Sequence, residues 1–249
     1  MARRTPASAP AASGQPAVDR LARRLAWHQA LHDPQRDPRN RLRWLQEVRR
    51  WQALRLERSF EHFLEDPRRR PAAMFFLDDV YGDRDFSRRD ADLLKVLPTM
   101  RKLMPASLLA TVADGIELAA LTHALDLRMA ATLRRIAPRR RRLDAALYAQ
   151  AYRQAGLPRL RARQIGLIGQ VGTGLAKAVG TPGVRILLKL ARAPARAAGV
   201  SELQGFLERG FDAFSRLGDA ATFLDDIDRT ERRISRRLFA GDAAVLGMD

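Results

Sequence analysis

The chain has 249 residues and a formal net charge of +17, from 45 Lys and Arg against 28 Asp and Glu. That length fits one large domain or two small ones and is enough to bury a core without covalent staples. The absence of cysteine excludes a disulfide scaffold, Cys-ligated zinc, an iron–sulfur cluster and a cysteine nucleophile, and charges break every apolar run short of roughly 18 residues, so no transmembrane span is expected.

Ala (41), Arg (41) and Leu (35) dominate, whereas Val, Ile and Thr together number 26. The first three are strong helix formers, and strands need the scarce β-branched residues. The expectation is an all-α, single-domain bundle of about nine helices, with residues 1–16 as a disordered tail, 17–240 as the helical domain and 241–249 as a flexible C-terminus. Arg outnumbers Lys 41 to 4, a skew that GC-rich coding produces without selection for a partner. A chain this basic nevertheless attracts polyanions at low salt.

Residues 1–16 are Ala, Pro, Ser and Arg without the apolar stretch of a secretory signal, which points to a cytoplasmic protein. A first helix is expected from Val18 to His32, with Leu21, Leu25, Ala26 and Leu31 as its apolar side, ended by Asp33-Pro34 and Asp37-Pro38. A long second helix spans Pro38 to Glu65. Its Trp44, Leu45, Val48, Trp51, Leu56, Phe60 and Phe63 recur at helical spacing. Pro71 opens a third helix, Ala72 to Tyr81, with Gly82 as terminator. Ser87 opens a fourth with the spacing of a capping box at Asp90, and Pro98 interrupts it.

Pro105 begins a long apolar helix to Ile136, the expected centre of the bundle, followed by a loop at Pro138 and Arg139 to Arg142. Further helices are expected at 143–155, 159–179, 183–198, 202–217 and 220–239. Thr181-Pro182 reads as an N-cap with Pro at the first helical position. Ser201 has Gln204 three residues on, and Asp219 is placed to cap the last helix.

Phe75-Phe76-Leu77-x-x-Val80-Tyr81-Gly82, then Asp85-Phe86-Ser87-x-Arg89-Asp90-x-Asp92-Leu93 and Pro98, resembles the signature of an uncharacterised bacterial helical family. Glu202-Leu203-Gln204-x-Phe206-Leu207-Glu208-x-Gly210-Phe211 is similar to a second stretch of that family. The resemblance implies a bacterial, mostly helical protein and brings no assigned activity and no catalytic residue.

Three functional readings follow. The first is a non-enzymatic interaction protein that binds another protein through the corner at 75–93, where Tyr81, Asp85, Phe86, Arg89 and Asp90 concentrate aromatics and paired charges. The second is an anionic-surface binder, for membrane lipid or nucleic acid. Arg185, Lys189 and Arg192 share one face of an amphipathic helix, and Arg229, Arg232, Arg233, Arg236 and Arg237 oppose the apolar stripe Phe223, Ile227, Ile234 and Leu238. The third is a Mg²⁺-dependent diphosphate enzyme. Asp78, Asp79 and Asp83 look like the aspartate-rich motif of class I isoprenoid synthases, which need carboxylates one turn apart to share Mg²⁺, with 225–231 as the second acidic run. The spacing departs from that motif at Asp83, and Gly82 breaks the helix between them.

No cofactor is predicted. His28 and His32 lie i, i+4 on one helix face, a weak two-histidine metal pair, but no His-Glu-x-x-His accompanies them. The glycines from Gly166 to Gly174 do not form a phosphate loop, because Leu175 stands where that loop needs Lys. Their helical spacing instead predicts a flat face for close helix packing.

Overall fold

A computed structural model of the chain describes residues 15–80, 106–199 and 201–247. The described residues contain ten α-helices and no strand. They are α1 (Gln15–His32), α2 (Arg43–Ser59), α3 (Glu61–Glu65), α4 (Arg70–Met74), α5 (Ala106–Ile136), α6 (Ala145–Ala155), α7 (Pro158–Gly180), α8 (Val184–Ala197), α9 (Ser201–Ser215) and α10 (Ala220–Phe239). Residues 81–105, with the expected fourth helix, lie outside the described residues.

The core is organised around α5, against which α1, α2, α6 and α7 pack. Length and mean hydropathy alone would let Ser107–Ile136 cross a membrane, contrary to the expectation from charge spacing. Its Leu118, Leu125, Leu127, Met129 and Leu133 are instead buried against the neighbouring helices, while Asp114 and Glu117 both pair with Arg24 of α1.

Two apolar clusters flank a buried polar layer. One gathers Phe60, Phe63, Phe75, Phe76, Phe214 and Phe223. The other gathers Trp44, Trp51, Leu133, Tyr148, Tyr152 and Leu238. Between them Arg55 of α2 forms a two-pronged ion pair with Glu231 of α10, and Gln164 bridges Arg161 to Thr122.

Several boundaries differ from the sequence expectation, each for a local reason. The first helix begins at Gln15 rather than Val18. The second is three pieces. Asp37 accepts from the Arg39 N–H and seeds a 3-10 turn, Pro38–Arg41, after which Leu42 is extended. Phe60 leaves helical geometry between α2 and α3, its buried ring stacked on Phe63, which packs on Phe223. The third helix is α-helical only to Met74 and continues as a π-helical turn, Phe75–Val80.

Thr181 does not cap α8. Its hydroxyl donates back to the Lys177 carbonyl, and Gly183, at φ +83°, supplies the left-handed turn into α8. Gln204 does not close a capping box either, because its amide donates to the Leu188 carbonyl at 2.7 Å. Asp219 does cap α10, accepting from the Thr222 N–H. The segment after Gly241, expected to be flexible, forms a 3-10 turn whose Leu246 is buried in the second cluster.

Candidate functional site

The two sequence stretches that carry the family resemblance meet in space. The π-turn packs on α9: Phe75 lies 5.3 Å from Phe206, ring centre to ring centre. A side chain at Gly210 would press on the Phe75 ring, so this crossing needs glycine. One turn further, Asp79, almost fully buried, accepts from Arg209 at 2.7 and 3.1 Å. Phe75, Phe76 and Leu77 are all buried, so the described part of the corner is interior. Tyr81, Asp83, Asp85, Phe86, Arg89 and Asp90 lie outside the described residues.

Among the described residues, carboxylates of the Mg²⁺ reading are taken up in separate ion pairs. Asp79 is committed to Arg209. In the second acidic run Asp226 pairs with Arg229 and Arg69, Asp228 with Arg232, and Glu231 with Arg55. Among the described residues no three acidic or histidine side chains converge on a common point.

His28, His32 and His123 form a stack, with centroids 4.2 and 3.7 Å apart. Parallel rings direct their nitrogens sideways rather than to a shared point. The nitrogens of His123 are both engaged, by Arg49 and by Asn40. Burial, then the neighbouring His32 and Arg49, push its pKa down to about 3, so the ring is neutral at ordinary pH.

The glycine face of α7 serves two neighbours and an opening. A Cβ at Gly172 would overlap Leu224 of α10, and one at Gly174 would overlap Thr111 of α5. Gly169 has nothing within 4 Å, and with Gly166, Lys177 and Ser107 it lines a groove between α5 and α7.

The arginine face of α10 is largely neutralised. Arg229 pairs with Asp226 at 2.9 Å, Arg232 with Asp228 at 2.7 Å and Arg237 with Asp242 at 2.5 Å. Arg233 and Arg236 are exposed, with no ion pair among the described residues.

α8 is different. Only Val184 and Ala195 are buried. It is held on α9 by Arg185, which pairs with Asp212 and lies over Phe211 at 4.9 Å, and by Arg192, whose fork meets Glu208 at 2.7 and 2.8 Å. That fork holds the Glu208 carboxyl below its usual pKa. Outward from these anchors Ile186 is 63% exposed and Leu190 69%, the highest values for large apolar side chains among the described residues. Lys189 and Arg196 stand beside them, exposed and without an ion pair among the described residues. The sequence reading picked out the cations of this helix but not the exposed Ile186 and Leu190. The signal was there: the apolar positions of 184–197 cover more of the helix circumference than one packing face requires.

The sequence profile of a family described as a domain of unknown function, DUF8198, matches residues 31–245. The chain belongs to this family. Searches of curated proteins and of solved structures find no match. Membership of DUF8198 agrees with the resemblance to a helical family without assigned activity. The matched range takes in the π-turn, α8, α9 and their junction, so all the geometry above except most of α1 belongs to the DUF8198 domain.

Proposed function

We propose that this chain is a non-catalytic binding module of the cell interior whose docking face is α8. The observation that carries the reading is the exposure of Ile186 and Leu190, one turn apart on a helix otherwise fastened to the bundle by ion pairs. Keeping two large apolar side chains in water is unfavourable by about 1.5–3 kcal/mol each relative to burial, and neighbouring exposed apolar groups mark contact surfaces. The corner at 75–80 supports this face from behind: it anchors α9 through Phe75 and Asp79, and α9 carries α8.

The test compares the parent chain with Ile186→Ser/Leu190→Ser in capture from cell lysate at two salt concentrations, with protein, lipid and nucleic acid all analysed. Both side chains are exposed, so the melting temperature is expected to stay within a few degrees of the parent. The variant is expected to lose the material that the parent retains. Equal capture by parent and variant would overturn the assignment of α8 as the docking face.

A further inference from the structure

Resting on α8 as the docking face, we infer that its occupant is an anionic lipid surface. The helix divides into three arcs. With Val184 at zero and about 100° per residue, the side packed on the bundle (Leu187, Leu188, Ala191, Ala195) lies from roughly 300° through zero to 40°. Arg185, Lys189, Arg192 and Arg196 fall between roughly 80° and 140°. Ile186, Leu190, Ala193 and Ala197 fall between roughly 180° and 240°, and all four are exposed.

A cationic stripe along the edge of an exposed apolar arc is the arrangement by which a helix lies in a membrane interface. The apolar side chains enter the acyl boundary, and the cations reach sideways to the phosphates. Two of the four cations are partly neutralised by Asp212 and Glu208. The other two, Lys189 and Arg196, are exposed and carry no ion pair among the described residues. No acidic residue occurs anywhere in 184–197. A protein groove for an amphipathic helix would be served by the apolar arc alone. The exposed Lys189 and Arg196 along its edge, on a chain of net charge +17, complement a negative surface.

The orientation is available without unfolding. Arg185 and Arg192 fasten the near side of the helix to α9, and Gly183 provides the turn that brings α8 out from α7. The whole domain would therefore rest on the bilayer through one helix about 21 Å long, at 1.5 Å per residue.

The experiment is co-sedimentation of the full chain with vesicles of phosphatidylglycerol and phosphatidylcholine, against vesicles of phosphatidylcholine alone. It is run at about 50 and about 300 mM salt, with light scattering of the free protein alongside. The parent is expected to sediment with the anionic vesicles only and to lose binding as salt rises. Lys189→Glu/Arg196→Glu is expected to weaken binding by at least about tenfold, since each cation near such a surface is worth about fivefold. Ile186→Ser/Leu190→Ser should abolish it.

Equal binding to both vesicle types, or none to the anionic ones at low salt, would overturn the inference. So would a dimer that Ile186→Ser/Leu190→Ser dissociates, because the occupant would then be a second copy. If vesicles fail while lysate capture still yields a protein that the α8 variant loses, the lipid inference falls and the docking face stands. If the variant captures and sediments as the parent does, both fall.

Discussion

Arg49 donates a hydrogen bond to Nδ1 of His123 at 2.8 Å, and this one contact decides where the imidazole keeps its proton. A guanidinium has no acceptor to offer, so Nδ1 must be unprotonated. The ring proton then sits on Nε2, which is 2.9 Å from Asn40 Oδ1. The Asn40 amide in turn donates to the Leu31 carbonyl. One neutral imidazole thus ties α2, α5, the 3-10 turn and the end of α1 together.

Acid should therefore weaken the fold through His123. Its pKa is about 3 in the folded chain against an ordinary 6.5. The unfolded chain takes up the proton first, so this contribution to stability is complete above about pH 6.5 and is lost as pH falls toward 3. At pH 5 the loss is about 2 kcal/mol. Denaturant titrations of His123→Gln should show a shallower decline than the parent between pH 6.5 and 4. An unchanged slope would mean that the ring titrates normally.

Asp126 works in the opposite direction. Burial raises its pKa to about 6 from 3.8, against the pull of Arg161 and Arg49. The native carboxyl keeps its proton longer than the unfolded one. Its contribution is present below pH 3.8 and is lost as pH rises through 6. Asp126→Asn should stabilise the protein by about 1–3 kcal/mol at pH 8 and give no gain at pH 4. A melting temperature shift of the same size at both pH values would contradict this.

The Arg55–Glu231 pair is nearly dry: the two side chains are 10% and 12% exposed. Arg55→Met leaves a carboxylate without its partner and should cost about 3–5 kcal/mol. Adding Glu231→Leu should recover most of that loss, because two apolar groups replace two desolvated charges. Urea denaturation of the parent, both single variants and the double variant measures the coupling. Simple additivity of the two single effects would count against a direct pair.

The glycines of α7 should separate by sign. Gly172→Ala puts a methyl into Leu224 and should destabilise by about 1–3 kcal/mol. Gly169→Ala meets nothing within 4 Å and should stabilise the helix by about 0.5–1 kcal/mol. Thermal melts of the two variants settle the sign. Stabilisation by both would show that the packing of α7 on α10 is not as close as described.

The helical architecture was legible because its punctuation is chemical. Asp-Pro pairs, Asp219 and the apolar spacing of 105–136 act through neighbours a few residues away. The misses come from competition that local sequence does not display. Phe60 leaves the helix at a bend where its ring is buried with Phe63 and Phe223, and Phe223 is far away in the chain. Gln204 prefers the Leu188 carbonyl to its own helix start. His28 and His32 were visible as a pair, but His123, which completes the stack, is not a sequence neighbour. In the arginine stripe of α10, Asp226 and Asp228 stand three and four residues before Arg229 and Arg232, and that spacing already predicts the two ion pairs found there. The residues proposed for the docking corner, Tyr81, Asp85, Phe86, Arg89 and Asp90, lie outside the described residues, while Phe75 and Phe76 turn inward to α9 and α10 as packing residues.

The attachment of α1 to α5 sets a timetable for synthesis. Leu21 and Leu25 are fully buried, and Arg24 has its partners at Asp114 and Glu117. On the ribosome, α1 emerges when the helix that will cover it has not yet been made. At translation speeds of about 5–20 residues per second, its apolar side waits roughly 5–20 seconds for α5. During that interval the nascent N-terminal helix is an amphipathic surface without a mate, and a substrate for any chaperone that binds exposed leucine.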